Sequence, residues 1–363
     1  MIDLSLLPDG GMAWLDASGP GSHLVLSTRI RLARNLTSHP FATRTNLADR
    51  EAILREVLEA ARETVSLRNA LTFRLDRLER VDRQLLHERH LVSKELAGVE
   101  EQSAVRPGAA LLVQDRVGVM LNEEDHLRLQ GMRSGFDLEQ AYQEVDRLDG
   151  ELGQRLPFAF HPEFGYLTSC PTNVGTGLRA SVLIHLPGLV LTKEISKVLQ
   201  GLAQVGLTFR GLYGEGSEVV GNFFQLSNQT TLGKSEKELL DHLGKMVRQV
   251  IEYEEQAREV LLRDVPTIIE DKVWRAYGLL RHARSLSFDE TMNLLSGVRL
   301  GVGLGLVDQC GMYALNKLLV HTQPAHLAAL EGMRPDDPDL SVRRARFVRA
   351  LLDDEAGRRG QSP

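Results

Sequence analysis

The chain has 363 residues, a formal net charge of −6 and a pI near 6.0, with 42% hydrophobic and 25% charged residues. That length builds two domains with their own cores, and the composition is that of a soluble globular protein. The acidic balance excludes a general attraction to nucleic acid or anionic membrane. The first residues lack a basic n-region and a long apolar h-region, so no signal peptide is expected. No run reaches the roughly 18 apolar residues of a membrane span. Cys170 and Cys310 sit in unlike contexts and are expected as free thiols of a reducing, cytoplasmic compartment.

Residues 1–23 are rich in Gly and Pro around a lone Trp14 and read as loop with one anchored turn. In His23–Asn35 alternation puts Arg29 and Arg31 on one strand face and Ile30 and Leu32 on the other. Residues 47–67 carry Leu47, Ile53, Leu54, Val57 and Leu58 at helical spacing. Residues 109–133 read as two apolar strands with a sharp return, ending in Asn122-Glu123-Glu124-Asp125-His126-Leu127-Arg128. An amphipathic helix over 137–155 leads to the loop Cys170-Pro171-Thr172-Asn173-Val174-Gly175-Thr176-Gly177-Leu178-Arg179. That loop collects a soft nucleophile, hydroxyls, two glycines and a phosphate-matching guanidinium. A strand from Val182 to Leu186 and a helix over 189–204 follow.

The stretch 207–222 turns from strand into a glycine-rich loop suited to closing over a ligand. Ser235-Glu236-Lys237-Glu238 is a capping box opening a long helix that should stop near Asp264-Val265-Pro266. Beyond it everything reads as helical, with a second box at Ser287–Glu290. Gly301–Gly305 lacks a framing βα unit, so close helix packing explains it better than dinucleotide binding.

Three of these strings, STRIRLARN, NEEDHLR and CPTNVGT, resemble the signatures of the ATP:guanido phosphotransferases. The resemblance implies an α+β fold: an antiparallel sheet flanked by helices over 1–255, then an all-α C-terminal domain over 256–363. It implies Mg-ATP as phosphoryl donor. It makes Glu124 and Glu215 the catalytic carboxylates, with Cys170 beside the acceptor. Ser27, Arg29, Arg31, Arg128, Arg179 and Arg210 would hold the nucleotide phosphates, and His90 would lie near its base or ribose. No metal-ligand set is expected from the protein. There is no Walker A string and no Gly-loop, HRD and DFG set, so the P-loop and protein-hydroxyl kinases do not fit.

Only 28 residues precede Arg29, whereas phosphagen kinases carry a helical domain there. That layout, with RGLYGEGSE and SNQTTLGKSE, is similar to the bacterial protein-arginine kinases. The similarity implies protein substrates with exposed arginine, a homodimer built by the C-terminal domain, an activator protein and Clp-type protease machinery. It also makes Arg344 a candidate allosteric phosphoarginine contact. There the family's RDxxRA reads Leu340-Ser341-Val342-Arg343-Arg344-Ala345, and a solvated basic helix face is the competing reading of Arg343, Arg344, Arg346 and Arg349. The alternatives for the whole chain are a kinase of a small free guanidine and a non-catalytic phosphoarginine-binding adaptor.

Overall fold

The structure, a computed structural model, describes residues 9–42, 44–99, 105–212 and 219–359. A short 3-10 turn (Asp9–Leu15) leads to β1 (Val25–Arg34), α1 (Leu47–Glu63), β2 (Leu71–Arg74), α2 (Arg80–Glu88) and α3 (Lys94–Ala97). Then come β3 (Ala110–Gln114), β4 (Val117–Leu121), β5 (Leu127–Ser134) and α4 (Leu138–Gly153). A small hairpin of β6 (Phe160–His161) and β7 (Gly165–Tyr166) precedes β8 (Leu178–His185), α5 (Pro187–Leu191) and α6 (Ile195–Gln204). Next are β9 (Leu207–Arg210), β10 (Phe223–Asn228) and α7 (Glu236–Asp264). The C-terminal helices are α8 (Pro266–His282), α9 (Phe288–Gly303), α10 (Met312–His321), α11 (Pro324–Glu331) and α12 (Leu340–Arg359).

Eight strands form one antiparallel sheet in the order β2-β3-β4-β5-β1-β8-β10-β9. Alternation divides it cleanly. Ile30, Leu32, Leu129, Ala180, Val182 and Leu226 face one side, in a core shared with α1, α4 and α7. On the other side each central strand changes character along its length. β5 runs Arg128, Gln130, Met132; β8 runs Arg179, Ser181, Leu183; β10 runs Ser227, Gln225, Phe223. Met132, Leu183 and Phe223 belong to the core built by the C-terminal helices. The polar end of the same face is left for a cavity.

The helix starts follow their caps. Ser235 and Glu238 form the expected box at α7, and α7 ends at Asp264 before Pro266. Gly301 lies so close to α8 that a Cβ there would meet Val273 Cγ1 at 2.2 Å, which accounts for the glycine string by packing. Other expectations are corrected. Leu47 is not on the buried face of α1 but 57% exposed, because it is the first residue of the helix, ahead of the turns that reach the core. The single helix expected over 189–204 is two, α5 and α6, broken where Lys193 adopts φ +64°. β8 starts at Leu178, so Arg179 is a strand residue rather than a loop residue. Residues 109–133 hold three strands, not two, because the turn at 122–126 is followed at once by β5.

Candidate active site

Strand pairing assembles the cationic cluster. Arg31 on β1 is directly opposite Arg179 on β8, Ala33 is opposite Arg128 on β5, and Gln225 on β10 is opposite Arg210 on β9. Arg29 lies two residues before Arg31 on the same face. All five arginines line one cavity of about 860 Å³. Arg29 Nη2 reaches Gln225 Oε1 at 3.4 Å. Among the described residues Arg31 Nε has no hydrogen-bond partner, and neither arginine is ion-paired to a described carboxylate. Burial, with Arg179, Arg128 and Arg210 nearby, pulls the Arg29 guanidinium down to about 10. Burial and the same kind of crowding hold Arg31 well below the usual arginine value, with Glu123 opposing. Two buried, crowded guanidiniums with no described carboxylate partner, Arg29 and Arg31, favour an anion in the cavity.

The strip Asn122–His126 divides its labour residue by residue. Asn122 takes φ +58° and donates to the Gly108 and Arg50 carbonyls, which sets the turn. Glu123 is buried; it accepts from Ser93 Oγ and from Arg128 Nη1 at 2.8 Å, and its carbonyl accepts from Arg106. Glu124 is the most open of the strip's three acids, lines the cavity with its side chain 45% exposed, and pairs with Arg128 Nη2 at 2.9 Å. Asp125 is fully buried and accepts from Asn35 Nδ2 and the Ser169 N–H, both at 2.7 Å. His126 accepts from the Leu36 N–H through Nδ1. The acidic strip is not a solvated turn, because two of its three acids are inside. Burial, with Asp125 and Glu123 adjacent, raises the Glu124 carboxyl above the usual glutamate value, and Arg128 opposes that shift. Burial alone would lower Arg128; Glu123 and Glu124 override it and raise the guanidinium.

Ser169 carries this anchoring into the Cys170 loop. Cys170 Sγ lies 3.0 Å from Thr172 Oγ1, and both residues line the cavity. Thr231 Oγ1 holds the loop from below through the Thr172 and Val174 carbonyls. Gly177 has φ +66°, and a Cβ there would sit 2.6 Å from the Ala33 carbonyl oxygen, so only glycine lets the loop rejoin β1 so closely. Arg34, the last residue of β1, clamps the same corner. Its Nε and Nη2 donate to Asp149 at 2.9 and 2.7 Å, Nη1 donates to the Thr176 carbonyl, and its guanidinium lies 3.5 Å from the centre of the Tyr166 ring.

His90 lines the cavity with φ +58°, its carbonyl held by Gln130 and its ring edge-on to Trp14 at 5.3 Å. Burial, then Arg29 and His87, keep its imidazole neutral, well below the usual value. Ser27 is buried and lines a narrow extension with Arg29, His90 and Leu212. Glu215 lies outside the described residues. Arg344 is not at this cavity. It is buried among the C-terminal helices, donating to the Thr322 and Leu286 carbonyls at 2.7 and 3.0 Å. The basic face expected around it is therefore not simply solvated: Arg349 also donates to the Ala283 carbonyl, while Arg346 pairs with Glu331 near the surface. Sequence reasoning missed Ser93, Glu123, Asp125 and Arg106. The short polar run Ser93-Lys94-Glu95 beside His90 was the one available signal.

Comparisons with known proteins bear on the family and the fold. The family described as ATP:guanido phosphotransferase, C-terminal catalytic domain, matches residues 52–257. The protein-arginine kinase McsB C-terminal domain matches residues 266–362. The protein-arginine kinase of Symbiobacterium thermophilum is 45% identical over 343 residues, 93% of this chain and 96% of that protein. The chain belongs to the protein-arginine kinase family of ATP:guanido phosphotransferases. A second family member, from Brevibacillus brevis, is 44% identical over 342 residues, 93% of this chain and 94% of its own. The duplicated taurocyamine kinase of Schistosoma mansoni superposes with a TM-score of 0.57 at 26% identity, covering 69% of this chain and 37% of that one. A lombricine kinase, at 24% identity and TM-score 0.55, covers 66% and 70% and shares the fold. The chain is accordingly a phosphotransferase with a guanidino-kinase catalytic sheet. No helix among the described residues is long and apolar enough to cross a membrane.

Proposed function

We propose that this chain transfers the γ-phosphoryl group of ATP to the guanidinium of arginine residues in proteins. The observation that carries the reading is one cavity in which Arg29 and Arg31, neither ion-paired to a described carboxylate, lie with three further arginines beside the half-open carboxylate of Glu124. Arg29, Arg31, Arg128, Arg179 and Arg210 hold the polyphosphate and the charge that develops in transfer, where catalysis is mainly positioning and electrostatics. Magnesium would ride on the phosphate oxygens; among the described residues no group of three or more His, Cys, Asp or Glu offers it a ligand set.

Glu124 takes one edge of the planar acceptor through paired N–H donors, and Glu215 the other. An acceptor nitrogen bonds to the γ-phosphorus as the bond from phosphorus to the ADP oxygen breaks, and the nitrogen proton passes to a glutamate. A free guanidinium has a pKa near 13.8, so full deprotonation at neutral pH would cost about 9 kcal/mol. The proton therefore leaves during or after attack, to a carboxylate already in contact. Cys170, with Thr172 at its sulfur, borders the acceptor.

Substrate class follows from the relatives' names: the members cited above are protein-arginine kinases. We place the reaction in the cytoplasm, with residues 1–255 catalytic, residues 256–363 as dimerisation and regulatory helices, and an activator and Clp-type protease machinery as partners.

Incubation of the full chain with Mg-ATP and a basic protein should give acid-labile, alkali-stable phosphate on arginine, lost in Glu124→Gln. Label on free arginine or creatine alone would make it a small-guanidine kinase. ATP binding without transfer would make it an adaptor.

A further inference from the structure

One wall of the cavity comes almost entirely from a single stretch: seven lining residues fall between His87 and Leu96. That stretch begins where α2 ends, and α2 ends by inserting Glu88 into the C-terminal helices. Glu88 is 4% exposed and is not in the cavity. Its carboxylate accepts the first free N–H groups of α11, from Ala325 at 2.9 Å and His326 at 2.8 Å, with Gln84 Nε2 donating at 3.0 Å. The next residue, Arg89, donates to His326 Nε2 at 3.2 Å. Arg344 fixes the start of α11 from the far side through the Thr322 carbonyl. A carboxylate belongs at a helix N-terminus, where orphan N–H groups and the helix dipole favour it. Here the cap comes from a helix 237 positions away in sequence.

On the cavity side the chain of contacts continues. Gln130 holds the His90 carbonyl, Ser93 Oγ donates to Glu123, and Glu123 grips Arg128. Every link from α11 to the phosphate floor is either a hydrogen bond or the few backbone residues between Glu88 and Ser93.

We propose that Glu88 is a positioning residue for the nucleotide side of the site: by keying α2 into the first turn of α11, it sets the 87–96 wall and, through Ser93 and Glu123, the orientation of Arg128. The C-terminal helices thereby tune phosphate binding without entering the cavity. A purely stabilising role explains Glu88 poorly. Burial raises its carboxyl to about 7 against the Ala325 and His326 N–H groups, Gln84 and Arg344, so this is a costly place for an acid.

The inference rests on the reading of the cavity as an ATP site. Its test uses the full chain, with Mg-ATP affinity from calorimetry and amide hydrogen exchange with and without Mg-ATP. In the wild type, Mg-ATP should slow exchange over 88–93 and at the start of α11. Glu88→Gln should weaken Mg-ATP five- to tenfold and abolish the protection of α11, while the KM for the protein acceptor moves less than twofold; Glu88→Asp should recover at least half of the loss. A folded Glu88→Gln that binds Mg-ATP like the wild type would overturn the proposal. So would unchanged exchange in α11 when the wild type binds Mg-ATP, a result that needs no variant. A wild type that binds no Mg-ATP would sink the reading of the cavity along with it.

Discussion

Two sets of arginines sit inside this molecule. Arg34 and Arg258 are held by the carboxylates of Asp149 and Glu254, Arg299 by Asn316 and the Ser22 carbonyl, and Arg344 by two backbone carbonyls. Among the described residues Arg29 and Arg31 have no carboxylate partner such as those of Arg34 and Arg258. The first set finishes the fold; in the proposed function the second is finished by the nucleotide phosphates. Arg128 stands between them, its Nη1 bound by buried Glu123 and its Nη2 by open Glu124. Between Arg34 and Arg258 on one side and Arg29 and Arg31 on the other, the difference is one of counter-charge, not of residue type or burial. A charge that has been desolvated and not repaid marks where binding energy is to be recovered.

The largest effect should come from the open carboxylate on Arg128, the residue that joins the two sets. Glu124→Gln should lower kcat by about 10²–10⁴-fold, the range for loss of a positioned acid–base group. Because Arg128 then loses a competing anion, Mg-ATP affinity should hold or improve. Phosphoarginine formation and calorimetric ATP titration measure the two halves, and a kcat within tenfold of wild type would remove Glu124 from the chemistry. Arg34→Met should act on the fold alone. It strands the buried Asp149 carboxylate and should cost about 3–5 kcal/mol in urea unfolding.

Arg31→Met sharpens the contrast from the other side. It should lower kcat by about 10²–10³-fold, the scale of one lost transition-state donor, with an unfolding midpoint equal to or above wild type, since a crowded, unpaired cation is removed. If Arg31→Met destabilised the protein as much as Arg34→Met, the division into two sets would collapse.

How much of this could be read from the sequence follows the same line. Alternation in His23–Asn35 put Arg29 and Arg31 on one face, and the sheet confirms it. The caps at Ser235 and Ser287 and the stop before Pro266 were equally legible, because they depend on neighbours within four positions. Counter-charge was not legible. Nothing local says that Arg34 meets Asp149, 115 positions away, or that Asp125 turns inward to Asn35 and Ser169. The same holds for Glu88, whose partners lie across the molecule. Helix breaks without Pro or Gly also hide from pattern reading: Lys193 ends α5 by its backbone conformation within an apolar-periodic run.

The smallest expected effect is one of pH. Burial and the adjacent Asp125 and Glu123 raise the Glu124 carboxyl, while Arg128 opposes them. In the proposed function the chemistry needs the carboxylate, and its ionised fraction falls as pH drops through the raised value. Activity should therefore fade on the acid side at a pH above the usual glutamate range. The kcat/KM profile reports the free enzyme, whereas kcat reports the bound complex. A guanidinium seated on Glu124 favours the charged form and lowers its pKa. The acid limb of kcat/KM should thus lie at higher pH than that of kcat. Arg128→Ala, which deletes the opposing charge, should move the kcat/KM limb higher still. Coincident limbs in the wild type, unmoved by Arg128→Ala, would mean that the titrating carboxylate is not the one beside Arg128.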